Sequence, residues 1–266
     1  MHSSKSRKAR PARGAPAAAV AVRNTLLAAL LATEYRRLLP RLEHVTLKRG
    51  EIVYRADQKI EHVYFPEEAV IAMVDTTDDG RTIEVGIIGR EGIVGINIFL
   101  GGVITPDKAI VQLPGGAMRM KAKDFRKEVR FGSPLQRLLL DYTRTFLAVI
   151  SQSVACSQHH SVEQRLARWL LTMSDYAGAR EFLMVQESIA AMLGVRRVGI
   201  TRAASDLQAA ALIRYRRGRM SVLDKAGLEK KSCECYRFIR TQYEALHAEL
   251  PRLLSRNDSS PHGSKH

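Results

Sequence analysis

Val185-Gln186-Glu187-Ser188-Ile189-Ala190-Ala191-Met192-Leu193-Gly194-Val195-Arg196-Arg197-Val198-Gly199-Ile200-Thr201-Arg202-Ala203-Ala204-Ser205-Asp206-Leu207 is the stretch on which the reading of this chain turns. Ile189, Ala190 and Leu193 give a first short helix one apolar face. Gly194 ends it, because glycine takes a left-handed helix end without strain. Val195 is an apolar turn residue. A second helix then carries Ile200, Ala203, Ala204 and Leu207 on its inner side and leaves Arg197, Thr201 and Arg202 facing outward. Helix, tight glycine turn and helix with outward arginine is a pattern that suits the DNA major groove, which is about 12 Å wide. Arginine can hold guanine O6 and N7 together there, a contact that discriminates between bases by about 1–3 kcal/mol.

After Leu212-Ile213, two short β-runs flank Arg217-Gly218, which reads as a hairpin wing. Its Arg216, Arg217 and Arg219 suit phosphate contacts, which position a protein on DNA without reading sequence. Small-x-x-Leu-Gly helix pairs also occur in proteins that never touch DNA, so charge has to help decide. The chain has 266 residues, with 42 Lys plus Arg against 27 Asp plus Glu and a net charge of +15. Between Ala190 and Met220 seven arginines face one acid, Asp206. The first 23 residues hold six more cations and no acid. Such blocks favour a polyanionic partner, and the folded block coincides with the helix pair and wing.

Working toward the N-terminus, Leu135, Leu139, Tyr142, Phe146, Val149, Ser153 and Cys156 recur at alternating spacings of four and three. That is the seam of a two-helix coiled coil, expected here as a dimer interface, although packing against the chain's own body gives the same stripe. From Val45 to about Met120 the period is that of short strands broken by turn signals. Examples are His62-Val63-Tyr64-Phe65, Val70-Ile71-Ala72-Met73-Val74, and Thr82 to Ile88 after the hairpin signal Asp78-Asp79-Gly80. Many short strands imply a sandwich, jelly roll or barrel. Arg23 to Leu42 reads as one amphipathic helix.

The expected organisation is α+β. Residues 1–22 are a disordered basic tail, 23–130 a jelly-roll or double-stranded β-helix barrel, and 131–158 a long dimerisation helix. Residues 159–240 form a winged helix-turn-helix domain, and 241–266 a helix end with a disordered tail.

Three cysteines are too few for a disulfide framework, and a reducing cytoplasm fits that usage. Cys156 lies in an apolar helix, and Cys233 and Cys235 make a C-x-C with no second cysteine pair nearby, so no metal site is expected. His159-His160 with Glu163 reads as a solvated helix end. The strand region offers only His44 and His62 as haem or metal ligands and no H-x-H pair, which weighs against a metal-dependent barrel enzyme. No catalytic residue and no cofactor are expected. No apolar run approaches the ~20 residues that span a bilayer, so no membrane partner is expected. A signalling module acting through protein partners remains the other alternative, but such modules do not need a winged helix after the barrel.

Barrel, heptad helix and winged helix-turn-helix in this order resemble the Crp/Fnr family of bacterial regulators, over roughly Leu26 to Lys231. Gln186, Glu187, Ile189, Ala190, Leu193, Gly194, Val195, Arg197, Ile200 and Arg202 match the family's DNA motif, as do Leu212 and Ile213, while Ala211 stands where the family carries glycine. The resemblance implies a homodimeric transcription regulator on an inverted-repeat operator, with RNA polymerase as a further partner. It also implies base reading by Arg197, Val198, Thr201 and Arg202, with Arg196 and Gly199 beside phosphates. Many relatives carry glutamate where this chain has Val198. Valine cannot accept from cytosine but can touch a thymine methyl, so a divergent operator is expected. Of the family's phosphate cassette, Gly95 and Ala109 remain. Ile96 replaces the glutamate, Asp107 the arginine and Lys108 the hydroxyl residue. An aspartate repels the cyclic phosphate, so cyclic AMP in the usual mode is not expected and the effector is left open.

Overall fold

The computed structural model describes residues 22–178 and 181–255. The basic tail expected over residues 1–22 lies outside them except for its last residue, as does the end of the C-terminal tail. Two short helices, α1 (Thr25–Ala29) and α2 (Ala32–Leu38), lead into seven strands. These are β1 (Glu43–Leu47), β2 (Ile52–Tyr54), β3 (His62–Pro66), β4 (Val70–Thr76), β5 (Thr82–Ile88), β6 (Lys108–Leu113) and β7 (Gly115–Lys121). They form two antiparallel sheets, ordered β1-β7-β3 and β2-β6-β4-β5. Helices α3 (Ala122–Glu128), α4 (Pro134–His159) and α5 (Val162–Ala177) follow. The C-terminal part comprises β8 (Glu181–Leu183), α6 (Gln186–Leu193), α7 (Arg197–Ala209), β9 (Ile213–Arg216), β10 (Arg219–Val222), α8 (Lys225–Lys231) and α9 (Cys235–Ser255). The fold is α+β, as the sequence indicates.

The unbroken apolar run of β4 has a simple cause. Ile71 and Met73 point into the barrel core, whereas Val70, Ala72 and Val74 point outward and are equally buried. Their outward cover is the C-terminal domain. Val70, Ile87 and Leu113 share one core with Trp169, Ile189, Leu193 and Ile200. Over Val70 to Val74 both faces of the sheet are dry, which is why β4 does not alternate there.

Two expectations about helices change. The stretch from Arg23 to Leu42 is not one helix, because Leu30 and Leu31 adopt extended conformations and Leu39–Arg41 is a 3-10 turn. A straight helix of that length runs about 30 Å, and the chain instead wraps the barrel. It is anchored at buried Asn24, whose amide donates to the carbonyls of Pro66 and Gly92 at 2.9 Å each.

The second change concerns α4. Leu135, Leu139, Tyr142, Phe146, Val149 and Cys156 are all buried within the single chain, and Ser153 is half-buried. Most of the stripe joins the barrel core together with Ile239, Tyr243 and Leu246 of α9. The expected dimer seam is therefore covered by the chain itself. The apolar side chains that α4 leaves exposed are Leu140, Leu147 and Val154, on another face. No helix among the described residues is long and apolar enough to cross a membrane.

Candidate nucleic-acid interface

Gly194 closes α6 with φ +61° and ψ 37°. Its N–H donates to the Ala191 carbonyl at 3.1 Å, and the Val195 N–H reaches back to the Ala190 carbonyl at 3.0 Å. This reversal turns the chain into α7 after only Val195 and Arg196. A side chain at 194 meets a second obstacle, since an added Cβ would stand 3.0 Å from Ile83 Cδ1 on β5. Ile189, Ala190, Leu193, Ile200, Ala203, Ala204 and Leu207 are buried, as the helical spacing requires. Arg165 of α5, itself buried, donates to the Leu193 carbonyl and satisfies the end of α6, a role that nothing local in the sequence signals.

The outward face of α7 carries Arg197, Val198, Thr201 and Arg202 together, all exposed, with Val198 72% exposed. The first turn of α6 braces two of them. Thr201 Oγ1 stands 2.8 Å from Gln186 Oε1, and Arg197 Nε stands 3.7 Å from Glu187 Oε2. Arg196 occupies the N-cap and supplies no side-chain acceptor. A helix start without a side-chain cap leaves its first N–H groups to an anion or water, although here the Gly199 N–H donates to the Arg196 carbonyl at 2.9 Å. Gly199 is half-buried in this first turn.

The wing forms as expected, and its turn residues Arg217 and Gly218 both have positive φ, +50° and +75°. That geometry matches the right-handed twist of the flanking strands. Tyr215 N–H donates to Gln208 Oε1 at 2.8 Å, which ties the wing to α7. The wing also gains a strand that was not legible in the sequence, β8, paired along β10. Glu181 of β8 holds Arg219 at 2.9 Å and accepts from Ser221 Oγ at 3.0 Å. Arg219 is thus partly neutralised. Arg196, Arg202, Arg214, Arg216 and Arg217 enter no ion pair among the described residues.

Two family models match the sequence. The cyclic nucleotide-binding domain covers residues 44–130 and the Crp-like helix-turn-helix domain residues 164–231, together more than half of the chain. The chain belongs to the Crp/Fnr family of transcriptional regulators. Solved structures with this fold include FixK2 from Bradyrhizobium japonicum, at 17% identity over 72% of this chain and 98% of that one, with a TM-score of 0.62. A CRP/FNR-family transcriptional regulator from Thermus thermophilus shares 17% identity over 71% and 98%, with a TM-score of 0.57. The c-di-GMP responsive regulator CLP of Xanthomonas campestris shares 16% over 72% and 98%, with a TM-score of 0.58. At these identities the likeness establishes the fold. No curated protein matches the sequence at a significant level.

In this Crp/Fnr chain the nucleotide cassette is rebuilt around its own side chains. Gly95 takes φ +89° ahead of a 3-10 turn, and Ile96, Ala109 and Tyr54 lie in the barrel core. Asp107 is buried, accepting from Tyr54 Oη at 2.8 Å and from Thr105 Oγ1. The position where the family pattern has arginine is therefore an engaged acceptor. Lys108 is half-buried on the edge of β6. The barrel also touches the helix-turn-helix module directly. Trp169 Nε1 donates to Glu84 Oε2 at 3.2 Å, and the tip Gly80–Thr82 lines one cleft with Arg196 and Arg197. Burial pushes the Glu84 carboxyl up to about 7, against the Trp169 hydrogen bond and the Arg168 charge.

Sequence reasoning set the cysteines aside for want of a nearby partner. The fold supplies it: Cys156, His160, Cys233 and Cys235 converge with their donor atoms within 4.8 Å of one another. The local signals were the C-x-C of Cys233 and Cys235 and the four-residue spacing of Cys156 and His160, which puts those two on one helix face.

Proposed function

We propose that this protein is a sequence-specific, cytoplasmic DNA-binding regulator that acts as a homodimer on an inverted repeat. The observation that carries the reading is the outward face of α7, where Arg197, Val198, Thr201 and Arg202 are all exposed beside an N-terminus without a side-chain cap. Arg197 and Arg202 read guanines bidentately, and Val198 lies against a thymine methyl. The N-terminus of α7 at Arg196 and Gly199, with the wing arginines Arg216 and Arg217, holds the phosphates. Arg219, tied to Glu181, contributes less.

Dimerisation runs along the face of α4 that the chain leaves open. Leu140, Leu147 and Val154 are 52%, 58% and 60% exposed and one heptad apart, with Thr143 and Ile150 between them and Ser157 one step beyond. That is a coiled-coil seam about 20–25 Å long. Two such subunits present two recognition helices to successive major grooves about 34 Å apart. Cyclic AMP is not the effector in the family's usual mode, because Asp107 stands at the anion position and Ile96 replaces the glutamate. RNA polymerase is the further partner that such a regulator addresses, and no catalytic role is assigned.

Selection of bound fragments from random double-stranded DNA with the full chain tests this. The expected product is an inverted repeat with half-sites one helical turn apart. The Arg197→Ala, Arg202→Ala double variant loses the selected sequence while keeping salt-sensitive, sequence-indifferent binding. Recovery of the same repeat by the double variant contradicts the reading.

A further inference from the structure

We infer that Cys156, His160, Cys233 and Cys235 form a zinc(II) site that fastens the end of α4 to the joint between α8 and α9. These are the chain's three cysteines and one of its eight histidines, drawn from two segments about 75 residues apart. All three cysteines are buried and form a cluster of their own, and the His160 side chain is 15% exposed. Cys156 Sγ lies 3.6 Å from Cys233 Sγ, and Cys235 Sγ lies 3.6 Å from His160 Nδ1. A tetrahedral ion with Zn–S of about 2.3 Å and Zn–N of about 2.0–2.1 Å places its ligand atoms roughly 3.5–3.8 Å apart. The two distances match an S–S and an S–N edge of a ZnS3N tetrahedron, and Cys3His is a donor set of structural zinc.

The surroundings complete the site. A zinc-bound histidine characteristically donates its other ring N–H to a carboxylate. Here His160 directs Nδ1 at the sulfurs and Nε2 at Glu234 Oε1, 3.2 Å away. Gln152 Nε2 donates to Cys235 Sγ at 3.1 Å, a bond that favours thiolate. Arg168 and Arg165 lie within electrostatic reach of Cys156, offsetting the negative charge that three thiolates leave on a divalent ion. Each thiol passes its proton to solvent as its sulfur binds the metal.

A disulfide between Cys156 and Cys233 would use two of the four donors and leave the arrangement of Cys235, His160 and Glu234 without a purpose. A multi-iron cluster needs its ligands spread around several metal atoms, whereas these four surround the space of one. The position gives the ion its role. Cys156 and His160 close α4, Ser161 caps α5, and Cys233 and Cys235 stand where α8 gives way to α9. One ion there holds the joint between the long helix and the DNA-reading domain in a single geometry. The inference is independent of what the domain reads.

Elemental analysis of the full chain, purified under reducing conditions without chelator, tests it. The expected result is one zinc per chain. Cobalt(II) added to chelator-stripped protein should give the absorption of a tetrahedral, thiolate-ligated ion. Cys235→Ser and His160→Gln should each abolish stoichiometric metal. Glu234→Gln changes only an exposed carboxylate and leaves all four donors, so it remains informative if those variants fail to fold. It should weaken zinc binding about 10–100-fold. Folded full-length protein that neither carries zinc nor takes up zinc or cobalt at micromolar concentration overturns the inference. So does a native Cys156–Cys233 disulfide found by mass spectrometry, or full zinc retention by Cys235→Ser and His160→Gln.

Discussion

Gly194 and Ala211 make the same demand on the backbone and answer it with different residues. Both end a helix of the helix-turn-helix module with positive φ, +61° and +56°. Glycine does so freely, whereas an L side chain pays about 1–2 kcal/mol for the left-handed conformation. Ala211→Gly should therefore stabilise the chain by roughly 1 kcal/mol, less than the full strain because glycine loses more entropy on folding. Gly194→Ala should destabilise it by about 1–3 kcal/mol, since Ile83 adds crowding to the strain. Urea unfolding followed by the fluorescence of Trp169, the single tryptophan, measures both, and equal signs for the two variants would contradict this account. Gly194 and its buried neighbours were legible in the sequence because the turn is local. Ala211 closes α7 in the same way, with the Leu212 N–H donating to the Leu207 carbonyl at 3.0 Å, but an alanine does not announce a positive φ as a glycine does.

Glu84 carries a pH prediction at the same scale. Its carboxyl is raised by burial to about 7, so between about pH 4.5 and 7 the folded state binds the proton that the unfolded state has released. Stability on this account falls as pH rises through that window, by about 1–2 kcal/mol once partial exposure is allowed for. Glu84→Gln keeps an acceptor for Trp169 and removes the ionisation. Its Tm should exceed that of the parent more at pH 8 than at pH 5. An unchanged difference across that range would place the charge in solvent rather than against the docked domain.

At the scale of elements, α4 shows why a heptad can mislead. The helix carries two apolar stripes, and the denser one, from Leu135 to Cys156, is filled by the barrel and α9. Regular spacing reports burial and not the identity of the neighbour, and α9 lies a hundred residues further along the chain. Leu147→Asp should leave the subunit folded but shift the homodimer to monomer, because a charge replaces an exposed seam residue. Phe146→Ala should instead cost about 3–5 kcal/mol of subunit stability, as expected for a core cavity. Light scattering together with thermal unfolding separates the two. A Leu147→Asp protein that remains a stable dimer would place the interface elsewhere.

For the whole molecule, the strands and the winged helix were readable because their signals lie within a dozen residues. What joins them was not. The outward side chains of β4 and β5, the Glu84–Trp169 bond and the strand β8 depend on contacts across long stretches of chain. So does the meeting of Cys156 and His160 with Cys233 and Cys235. Docking through the barrel's outer sheet sets Arg196 and Arg197 beside the β4–β5 tip. The central claim, that two copies of this α7 surface read one operator, is tested most directly by footprinting the selected DNA while determining the protein-to-DNA stoichiometry. The account predicts two chains per site and two protected major-groove patches about 34 Å apart on one face of the duplex. A single chain bound to an unrepeated, sequence-indifferent footprint would contradict it.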